Sequence, residues 1–377
     1  MKSFDVVVIG AGVYGLMLAL NLRRRGMSVC ILEKETVGHP LAGSSGLTRV
    51  GHSMYDDQEY IQLASTSLSV YRSHYREGIV DCPTVDFSCR DCKIEDRTPY
   101  SNRVLAHGTS HHTPLTSDEI TERYDSFSGD LYGCVDSSGG IFQLGIIREK
   151  LLKELGEIEV RIFPHTQLRI IRQLESGCEV ETHPLETIRS QHVVIAAGYT
   201  SQQVVDLLEG VNKVDLSIQP TAPGTPIYFK PKTDAQYKAA SYTALPAFAF
   251  IEHGIFGIPI IPGYTDSVKI AGFYDPKSPN KFGLSPFEFI KKHLPLLQEF
   301  EVTIPNTVDH CLYDYTEDGH FIVGNLPNSE NISLACGWNG GGYKFAPAVT
   351  ELLAKLIESG VNDIPKSMSP RRLRVVE

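Results

Sequence analysis

The residues with the clearest chemical meaning are three glycines and one acid near the start of the chain. Gly10, Gly12 and Gly15 follow the order Gly-x-Gly-x-x-Gly, and Glu33 comes about 20 residues later, as in dinucleotide-binding motifs. The glycines permit a tight turn, a close approach to a pyrophosphate and packing of a helix on a strand. Glu33 can accept both ribose hydroxyls, which disfavours a 2′-phosphate. The motif predicts a site for FAD or NAD and does not separate the two.

The elements around this turn support the same interpretation. Residues 4–9 predict a strand, residues 16–25 a helix that ends at Gly26, and residues 29–32 a second strand. A helix that begins at the turn directs its unpaired N–H groups toward a bound anion. The segment is therefore predicted to be the first β-α-β unit of a Rossmann-like domain.

Two later regions predict how the rest of the chain is organised. Residues 192–198 are typical of a buried parallel strand that ends in small residues, beside which a cofactor can lie. Residues 219–304 contain short strand-like runs separated by proline and glycine, which is typical of an antiparallel sheet. The predicted fold class is α/β, with a Rossmann-like domain that binds FAD or NAD and an interleaved antiparallel-sheet substrate domain.

The boundaries of these two domains follow from where the patterns change. The Rossmann-like dinucleotide-binding domain is predicted to comprise residues 1–85, 140–215 and 318–377. The substrate (catalytic) domain is predicted to comprise residues 86–139 and 216–317. Each domain is therefore assembled from segments that are distant in sequence.

Composition and charge limit the classes of partner. Hydrophobic residues make up 42% and charged residues 21% of the 377 residues, and the formal net charge is −10. An acidic chain does not attract phosphate backbones or anionic lipids, so we expect no nucleic-acid or membrane partner. No apolar stretch is long enough for a membrane span, there is no room for a signal peptide, and the eight cysteines follow no secreted pattern. These features predict a cytoplasmic protein with a small-molecule ligand.

A glycine loop near the C-terminus could hold a ring system. Gly340, Gly341 and Gly342 precede a predicted helix over residues 343–357. The backbone of such a loop can lie close to a flat ligand, while the helix N-terminus stabilises negative charge. A glycine cluster without further support is more often an ordinary loop.

Three other side chains have an ordinary structural interpretation when they are taken alone. Cys311, taken alone, is expected to be a buried small hydrophobic residue. Lys269 lies in a strand-like run, where an exposed lysine on an alternating face is as well supported as a functional lysine. Lys344 could be a solvated helix residue. The residues alone leave these alternatives open.

Taken together, these motifs resemble the monomeric sarcosine oxidase family of amine-oxidising flavoproteins, which includes N-methyltryptophan and pipecolate oxidases and belongs to the D-amino-acid oxidase superfamily. The resemblance covers nearly the whole chain, including the glycine turn, the loop at residues 43–49, the strand at residues 193–198 and the C-terminal motifs. It implies FAD as the cofactor, so that the Rossmann-like domain is an FAD-binding domain, and it implies a monomeric enzyme.

The resemblance also implies roles for individual residues. Cys311 is expected to be linked through its sulfur to the flavin 8α-methyl group, and Lys269 to be the site of oxygen activation. Tyr313 is expected to border the substrate, and Lys344 to hold the substrate carboxylate. The predicted catalytic residues are Lys269, Tyr313, Lys344, His52 and Arg49.

The remaining predictions concern the residues around cofactor and substrate. The predicted cofactor-binding residues are Gly10, Gly12, Val13, Tyr14, Gly15, Glu33, Lys34, Gly43, Ser44, Thr48, Arg49, Leu168, Ala197, Gly198, Cys311, Gly340, Gly341, Gly342, Tyr343 and Lys344. The predicted substrate-pocket residues are His52, Phe256, Phe273, Tyr313, Trp338 and Lys344.

Three positions depart from the sarcosine-oxidising pattern. His52 stands where that pattern has an arginine that binds the substrate carboxylate, and an imidazole cannot make the two-point contact of a guanidinium. Phe256 replaces a tyrosine, and Phe273 replaces a histidine. The pocket is therefore expected to suit a substrate bulkier or more apolar than sarcosine.

The predicted activity is an FAD-dependent amine (amino acid) oxidase that acts on CH–NH groups with oxygen as acceptor. The expected substrate is a secondary amine or an imino or N-alkyl amino acid, and the expected products are an imine and hydrogen peroxide. Two alternatives are a flavin dehydrogenase that passes electrons to a carrier and a non-catalytic flavin-binding protein. An NAD-dependent dehydrogenase is less favoured.

A metal site is not predicted. Cys89 and Cys92 have the spacing of half a zinc site, but no second pair of cysteines or histidines lies at zinc-knuckle distance in the sequence.

Overall fold

The computed structural model of the chain describes residues 2–89, 100–184, 187–221, 226–272, 286–304 and 311–376. The chain divides into two compact units. Unit 1 consists of Met1–Gly46, Gly145–Ala222 and Cys311–Glu377, and unit 2 consists of Leu47–Leu144 and Pro223–His310. This division differs from the predicted domains at residues 47–85, 140–144, 216–222 and 311–317. Because a compact unit need not coincide with a ligand-binding domain, the predicted domains stay a prediction.

The described helices and strands are as follows. The helices are α1 (Val13–Arg24), α2 (Gln58–His74), α3 (Tyr100–His107), α4 (Ser117–Arg123), α5 (Leu144–Glu157), α6 (Ser201–Val205), α7 (Asp234–Ala239), α8 (Pro286–His293) and α9 (Ala346–Ser359). The strands are β1 (Lys2–Ile9), β2 (Val29–Leu32), β3 (Thr48–Gly51), β4 (Ile79–Asp81), β5 (Thr84–Cys89), β6 (His112–Leu115), β7 (Leu131–Asp136), β8 (Gly140–Gln143), β9 (Arg161–Phe163), β10 (Gln167–Gln173), β11 (Cys178–His183), β12 (Ile188–Ile195), β13 (Leu208–Glu209), β14 (Lys213–Asp215), β15 (Gln219–Thr221), β16 (Ile227–Lys230), β17 (Ala247–Phe250), β18 (Ile255–Ile258), β19 (Val268–Gly272), β20 (Glu301–Thr303), β21 (Tyr313–Tyr315), β22 (Ile322–Asn325), β23 (Ile332–Cys336) and β24 (Arg374–Val376). Short 3-10 helices cover Arg76–Gly78, Gly198–Thr200, Ile251–His253, Pro295–Glu299, Gly342–Phe345, Lys366–Met368 and Pro370–Arg372.

Unit 1 is built on a mixed sheet with a parallel centre. Its strand order is β13-β10-β11-β12-β1-β2-β9, with β23 added to β12 and β22 added to β23. The strands β23, β12, β1, β2 and β9 run parallel. Val6, Val7 and Val8 of β1 are fully buried, because a parallel strand is covered on both faces. The predicted β-α-β unit is confirmed, with α1 beginning at Val13.

Unit 2 is built on an eight-stranded sheet in the order β20-β16-β19-β18-β17-β5-β7-β6. Neighbouring strands are antiparallel except β5 and β17, which run parallel. The predicted α/β class with an antiparallel second sheet is therefore confirmed, with one parallel pair added. A cluster of buried aromatic rings fills the core beside this sheet: Phe87, Phe127, Phe248, Phe250 and Phe289.

None of the helices in the described parts of the chain is both long and apolar enough to cross a membrane.

Candidate functional site

The glycine turn between β1 and α1 has a geometry that only glycine allows. Gly10 has a φ of +106°, and a Cβ at this position would clash with the carbonyl oxygen of Ala196. A Cβ at Gly15 would clash with the carbonyl oxygen of Gly10. Gly12 is the N-cap of α1 and has an extended backbone. The turn therefore brings the helix N-terminus against the end of β1, which is the arrangement that binds pyrophosphate.

Two predicted cofactor-binding residues lie beside this turn. Glu33, just after β2, accepts a hydrogen bond from the N–H of Ala11 through Oε2 (2.7 Å) and from the N–H of Glu35 through Oε1 (2.9 Å). Ser44 Oγ accepts a hydrogen bond from the N–H of Val13 (3.2 Å). The acid and the loop around residue 44 are thus both fixed at the N-terminus of α1. Lys34 and Gly43 are exposed in the same region.

Cys311 lies next to this loop. Its side chain is buried, and only 2% of the residue is exposed. The N–H of Leu312 donates to the carbonyl oxygen of Leu41 (3.1 Å), and a Cβ at Gly43 would lie 3.8 Å from the carbonyl oxygen of Leu312. The cysteine is therefore held beside the segment that reaches the glycine turn.

The second glycine loop is also tied to α1. The Tyr14 hydroxyl donates to the carbonyl oxygen of Gly342 (2.8 Å), and the Tyr14 and Trp338 rings stack with centroids 3.4 Å apart. Gly340 has a φ of +72°, and a Cβ there would lie 3.0 Å from the Tyr313 ring. The first turn of α1, Tyr313 and the glycine loop therefore form one packed group within unit 1. Trp338 packs within this group, and its predicted substrate contact stays a prediction.

Lys344 follows the glycine loop and is buried, with 7% of the residue exposed. Its Nζ donates to the carbonyl oxygen of Gly341 (3.3 Å) and lies 5.6 Å from the centre of the Phe345 ring. The alternative of a solvated helix residue is wrong. Tyr343, next to it, is half-buried.

Three other predicted cofactor-binding residues lie elsewhere in unit 1. Ala197 and Gly198 follow β12, and Gly198 has a φ of +54° as it begins a 3-10 helix. Leu168 is half-buried in β10. Nothing in the described contacts joins Leu168 to the glycine turn.

An aspartate that the sequence analysis missed holds the second glycine loop. Asp314 is buried, and its Oδ2 accepts a hydrogen bond from the N–H of Gly337 (2.8 Å). Burial raises the pKa of Asp314 to about 7, although backbone hydrogen bonds from Gly337 and Trp338 act in the opposite direction. The only sequence signal was an acid within a short strand directly after Tyr313.

Asp314 predicts a pH dependence of stability. An aspartate with its ordinary pKa of 3.8 loses its proton in the unfolded chain, while Asp314 keeps it in the folded chain until about pH 7. The free energy of unfolding of wild type therefore falls as pH rises through this window. Between pH 3.8 and about pH 7, we expect this free energy to fall by up to about 4 kcal/mol more in wild type than in Asp314→Asn. Urea unfolding of both proteins across this range checks the prediction, and parallel pH profiles would contradict it.

Lys269 is buried in the second unit. It lies in β19 with 6% of the residue exposed, so the alternative of an exposed strand residue is wrong. Its Nζ lies 6.0 Å from the centre of the Phe256 ring, which belongs to the neighbouring strand β18. Burial of an ammonium group costs desolvation free energy unless neighbouring groups compensate its charge. A lysine buried on an interior strand therefore favours a functional role.

The other predicted residues of unit 2 lie on and after β3. Thr48 is buried, and Arg49 Nη1 donates to the carbonyl oxygen of Thr48 (2.9 Å). The His52 ring stacks on Tyr55 with centroids 5.2 Å apart. Phe273 lies outside the described residues.

A buried network fixes the backbone beside His52. Asp136 Oδ2 accepts hydrogen bonds from the N–H (2.6 Å) and the hydroxyl (2.8 Å) of Ser53, and His112 Nε2 lies 2.9 Å from the Ser53 hydroxyl. Burial alone would raise the pKa of Asp136, but hydrogen bonds from His112, Ser138 and Ser53 outweigh it and hold this pKa well below its usual range. The network therefore anchors the segment that carries His52.

The sheet order and the glycine turn define an α/β protein of the dinucleotide-binding class. A family model described as FAD dependent oxidoreductase matches residues 5–356. The chain belongs to this family of FAD dependent oxidoreductases, which selects FAD over NAD as its dinucleotide.

Two relatives match nearly the whole chain. The chain is 24% identical over 371 residues to the peroxisomal sarcosine oxidase of Mus musculus, covering 94% of this chain and 92% of the relative. It is 22% identical over 374 residues to the N-methyl-L-tryptophan oxidase of Yersinia pestis (strain Pestoides F), covering 93% and 94%. The predicted resemblance to the sarcosine oxidase group is confirmed.

A solved structure has the same fold. The L-proline dehydrogenase from P. horikoshii superposes with a TM-score of 0.80 at 17% identity and covers 98% of both chains. This similarity supports the fold alone.

Proposed function

We propose that this chain is an FAD-dependent oxidase of secondary amines or N-alkyl amino acids that produces an imine and hydrogen peroxide. One observation carries the proposal: Cys311 lies beside the loop at residues 41–44, which is fixed to the N-terminal part of α1, and the loop at residues 340–342 is fixed to the same part of α1. A glycine turn alone suits any dinucleotide, whereas a buried cysteine beside the loop that reaches this turn suits a flavin attached to the protein. Relatives named for oxidation of sarcosine and N-methyl-L-tryptophan support the same chemistry.

The residues of unit 1 fit FAD. We propose that the turn at Gly10–Gly15 holds the pyrophosphate, that Glu33 binds the ribose, and that Cys311 provides the covalent attachment. A Cβ at Gly12 would lie 3.3 Å from Ser44 Oγ and has no closer neighbour, so the backbone there can be approached by a ligand. When bound, FAD supplies the electron acceptor for the C–H bond next to the substrate nitrogen.

The proposed work of the side chains is to bind and orient the amine. Lys344 provides a cation for a carboxylate, and Tyr313 provides an aromatic surface. Lys269 provides a buried positive charge for the reaction with oxygen. Since His52 and Phe256 replace groups that would bind a small polar substrate, we propose a bulkier or cyclic amino acid.

A screen of amines tests the proposed substrate class. Hydrogen peroxide formation is measured with sarcosine, N-methyl-L-tryptophan, L-pipecolate and L-proline at equal concentrations. We expect kcat/KM to be higher for the bulky and cyclic compounds than for sarcosine. Peroxide formation with sarcosine alone would contradict the proposed substrate size.

His52→Ala tests whether the imidazole sets the protonation of the amine. An imidazole can exchange a proton with the substrate amine, so we expect the pH profile of kcat/KM to change in the variant. The matched control is His107→Ala, because His107 is an exposed residue at the end of α3 in the same unit. An unchanged pH profile in His52→Ala would rule out this role.

We also infer a monomer that works in the reducing cytoplasm. None of the cysteines in the described residues forms a disulfide: Cys30, Cys82, Cys89, Cys134, Cys178, Cys311 and Cys336. Buried cysteines without disulfides are typical of a reducing compartment. Gel filtration of the purified protein and fractionation of its host cells test the two inferences.

A further inference from the structure

We propose that Cys89, His253 and His293 form a zinc-binding site in unit 2. The Cys89 Sγ atom lies 3.5 Å from His253 Nε2 and 3.6 Å from His293 Nε2. All three candidate ligand atoms lie within 4.8 Å of one another. Thiolate and imidazole are the ligands that zinc prefers in proteins.

The distances match those of a zinc centre. With Zn–S near 2.3 Å and Zn–N near 2.0–2.1 Å, a tetrahedral ion places a sulfur and a nitrogen ligand about 3.6 Å apart. Both observed separations between Cys89 and the imidazoles agree with this value. An ion placed between the Cys89 sulfur and either imidazole nitrogen would therefore have ordinary bond lengths to both atoms.

The ring of His293 is oriented by a second contact. Its Nδ1 lies 3.1 Å from the carbonyl oxygen of Ser128, and this oxygen can only accept a hydrogen bond. Nδ1 therefore carries the proton, which leaves the lone pair of Nε2 directed toward Cys89. The N–H of Ser128 in turn donates to the carbonyl oxygen of His293 (3.0 Å). A carbonyl on the far ring nitrogen is the usual outer contact of a metal-binding histidine.

The three candidate ligands lie in a buried, apolar part of unit 2. Cys89, His253 and His293 are 6%, 8% and 1% exposed. The Phe250 ring lies 6.2 Å from the His253 ring and 5.4 Å from the His293 ring, centre to centre. A cation in this apolar region would stabilise the cysteine as its thiolate, and the three residues supply three of the four ligands of a tetrahedral zinc ion.

The ligands come from separate parts of the chain. Cys89 ends β5, His253 ends the 3-10 helix after β17, and His293 ends α8. The ion would therefore join a central strand pair to the helix packed beside it. The two histidines are 164 and 204 residues from Cys89, which is why the sequence predicted no metal. Cys92 lies outside the described residues, and the proposal does not use it.

The competing arrangement is a hydrogen-bonded group without an ion. A thiol has one proton and can donate to one imidazole at a time, so the other imidazole would donate to the sulfur. Sulfur–nitrogen distances near 3.5 Å suit this arrangement too. Metal content and the ligands around the metal distinguish the two.

Metal analysis of the full-length flavoprotein tests the proposal. The protein is incubated with zinc chloride, passed over a desalting column with a weak chelator, and analysed by mass spectrometry for metals. We expect about one zinc per chain in wild type and less than about a fifth of that in Cys89→Ala and His293→Ala. The matched control is Cys134→Ala, because Cys134 is also buried in unit 2 and belongs to a separate cluster; it should bind as much zinc as wild type.

X-ray absorption at the zinc edge identifies the ligands. We expect one sulfur at about 2.3 Å and nitrogen ligands at about 2.0 Å, and loss of the sulfur shell in Cys89→Ser. If an alanine variant does not fold, His253→Gln and Cys89→Ser provide the same comparison with smaller changes. A zinc content near zero in wild type, equal zinc in wild type and variants, or a spectrum without sulfur would overturn the proposal. None of these readouts depends on amine oxidation, so they are independent of the proposed function.

Discussion

Cys311→Ala is expected to release the flavin completely when the protein is denatured. The covalent bond is proposed to run through the Cys311 sulfur, so acid precipitation should leave yellow flavin with the pellet in wild type and in the supernatant in the variant. Cys311 lies beside the loop that reaches the glycine turn, whereas other buried cysteines of unit 1 lie in the sheet. Absorbance of pellet and supernatant measures the result.

The matched control for this experiment is Cys178→Ala. Cys178 is buried in β11 of the same unit, and burial raises the pKa of its thiol to about 12. A buried thiol with a raised pKa is a poor nucleophile, so this variant should keep its flavin in the pellet. Flavin that washes out of denatured wild type would contradict covalent attachment, and flavin retained by Cys311→Ala would contradict the choice of residue.

Lys269→Met is expected to slow the reaction with oxygen by about 100- to 1000-fold. Rate losses of this size are typical when one preorganised group that stabilises developing negative charge is removed. The buried ammonium is proposed to stabilise the superoxide that forms as oxygen takes up electrons. Reduction by the amine under anaerobic conditions should stay near the wild-type rate, because Lys269 is not proposed to hold the substrate. Stopped-flow measurement of the two half-reactions separates these effects.

Lys230→Met is the control for Lys269→Met. Lys230 lies on β16, which pairs with β19, and its exposed side chain forms an ion pair with Asp266 (2.7 Å). An exposed ion pair of this kind contributes little to the stability of the protein. We therefore expect the rates of both half-reactions in Lys230→Met to equal those of wild type. Equal oxygen reactivity in Lys269→Met and wild type would remove Lys269 from the oxygen reaction.

The first β-α-β unit could be predicted from sequence because its signals are local. The continuous apolar run of β1 identifies a strand buried on both faces, and the glycines at positions 10 and 15 stand where a side chain would clash. The antiparallel character of unit 2 followed from short runs bounded by proline and glycine. The parallel pairing of β5 with β17 could not be predicted, because these strands are far apart in sequence.

The candidate site was less predictable wherever a role depends on burial or on distant partners. Lys269 and Lys344 have sequence surroundings that suit exposed residues, and their burial follows only from the folded chain. Asp136 binds Ser53 from 83 residues away, and Cys89 meets histidines that are still more distant. Asp314 is next to Tyr313 in sequence, but the N–H group that it binds belongs to Gly337, which follows the distant strand β23.

Anaerobic titration of the purified protein with N-alkyl and cyclic amino acids tests the central claim most directly. If the chain is an amine oxidase, at least one of these compounds bleaches the flavin absorbance completely, and admission of air restores it with one hydrogen peroxide per flavin. Full bleaching with slow recovery in air would indicate a dehydrogenase that uses another acceptor. A flavin that no secondary amine bleaches would contradict the proposed function.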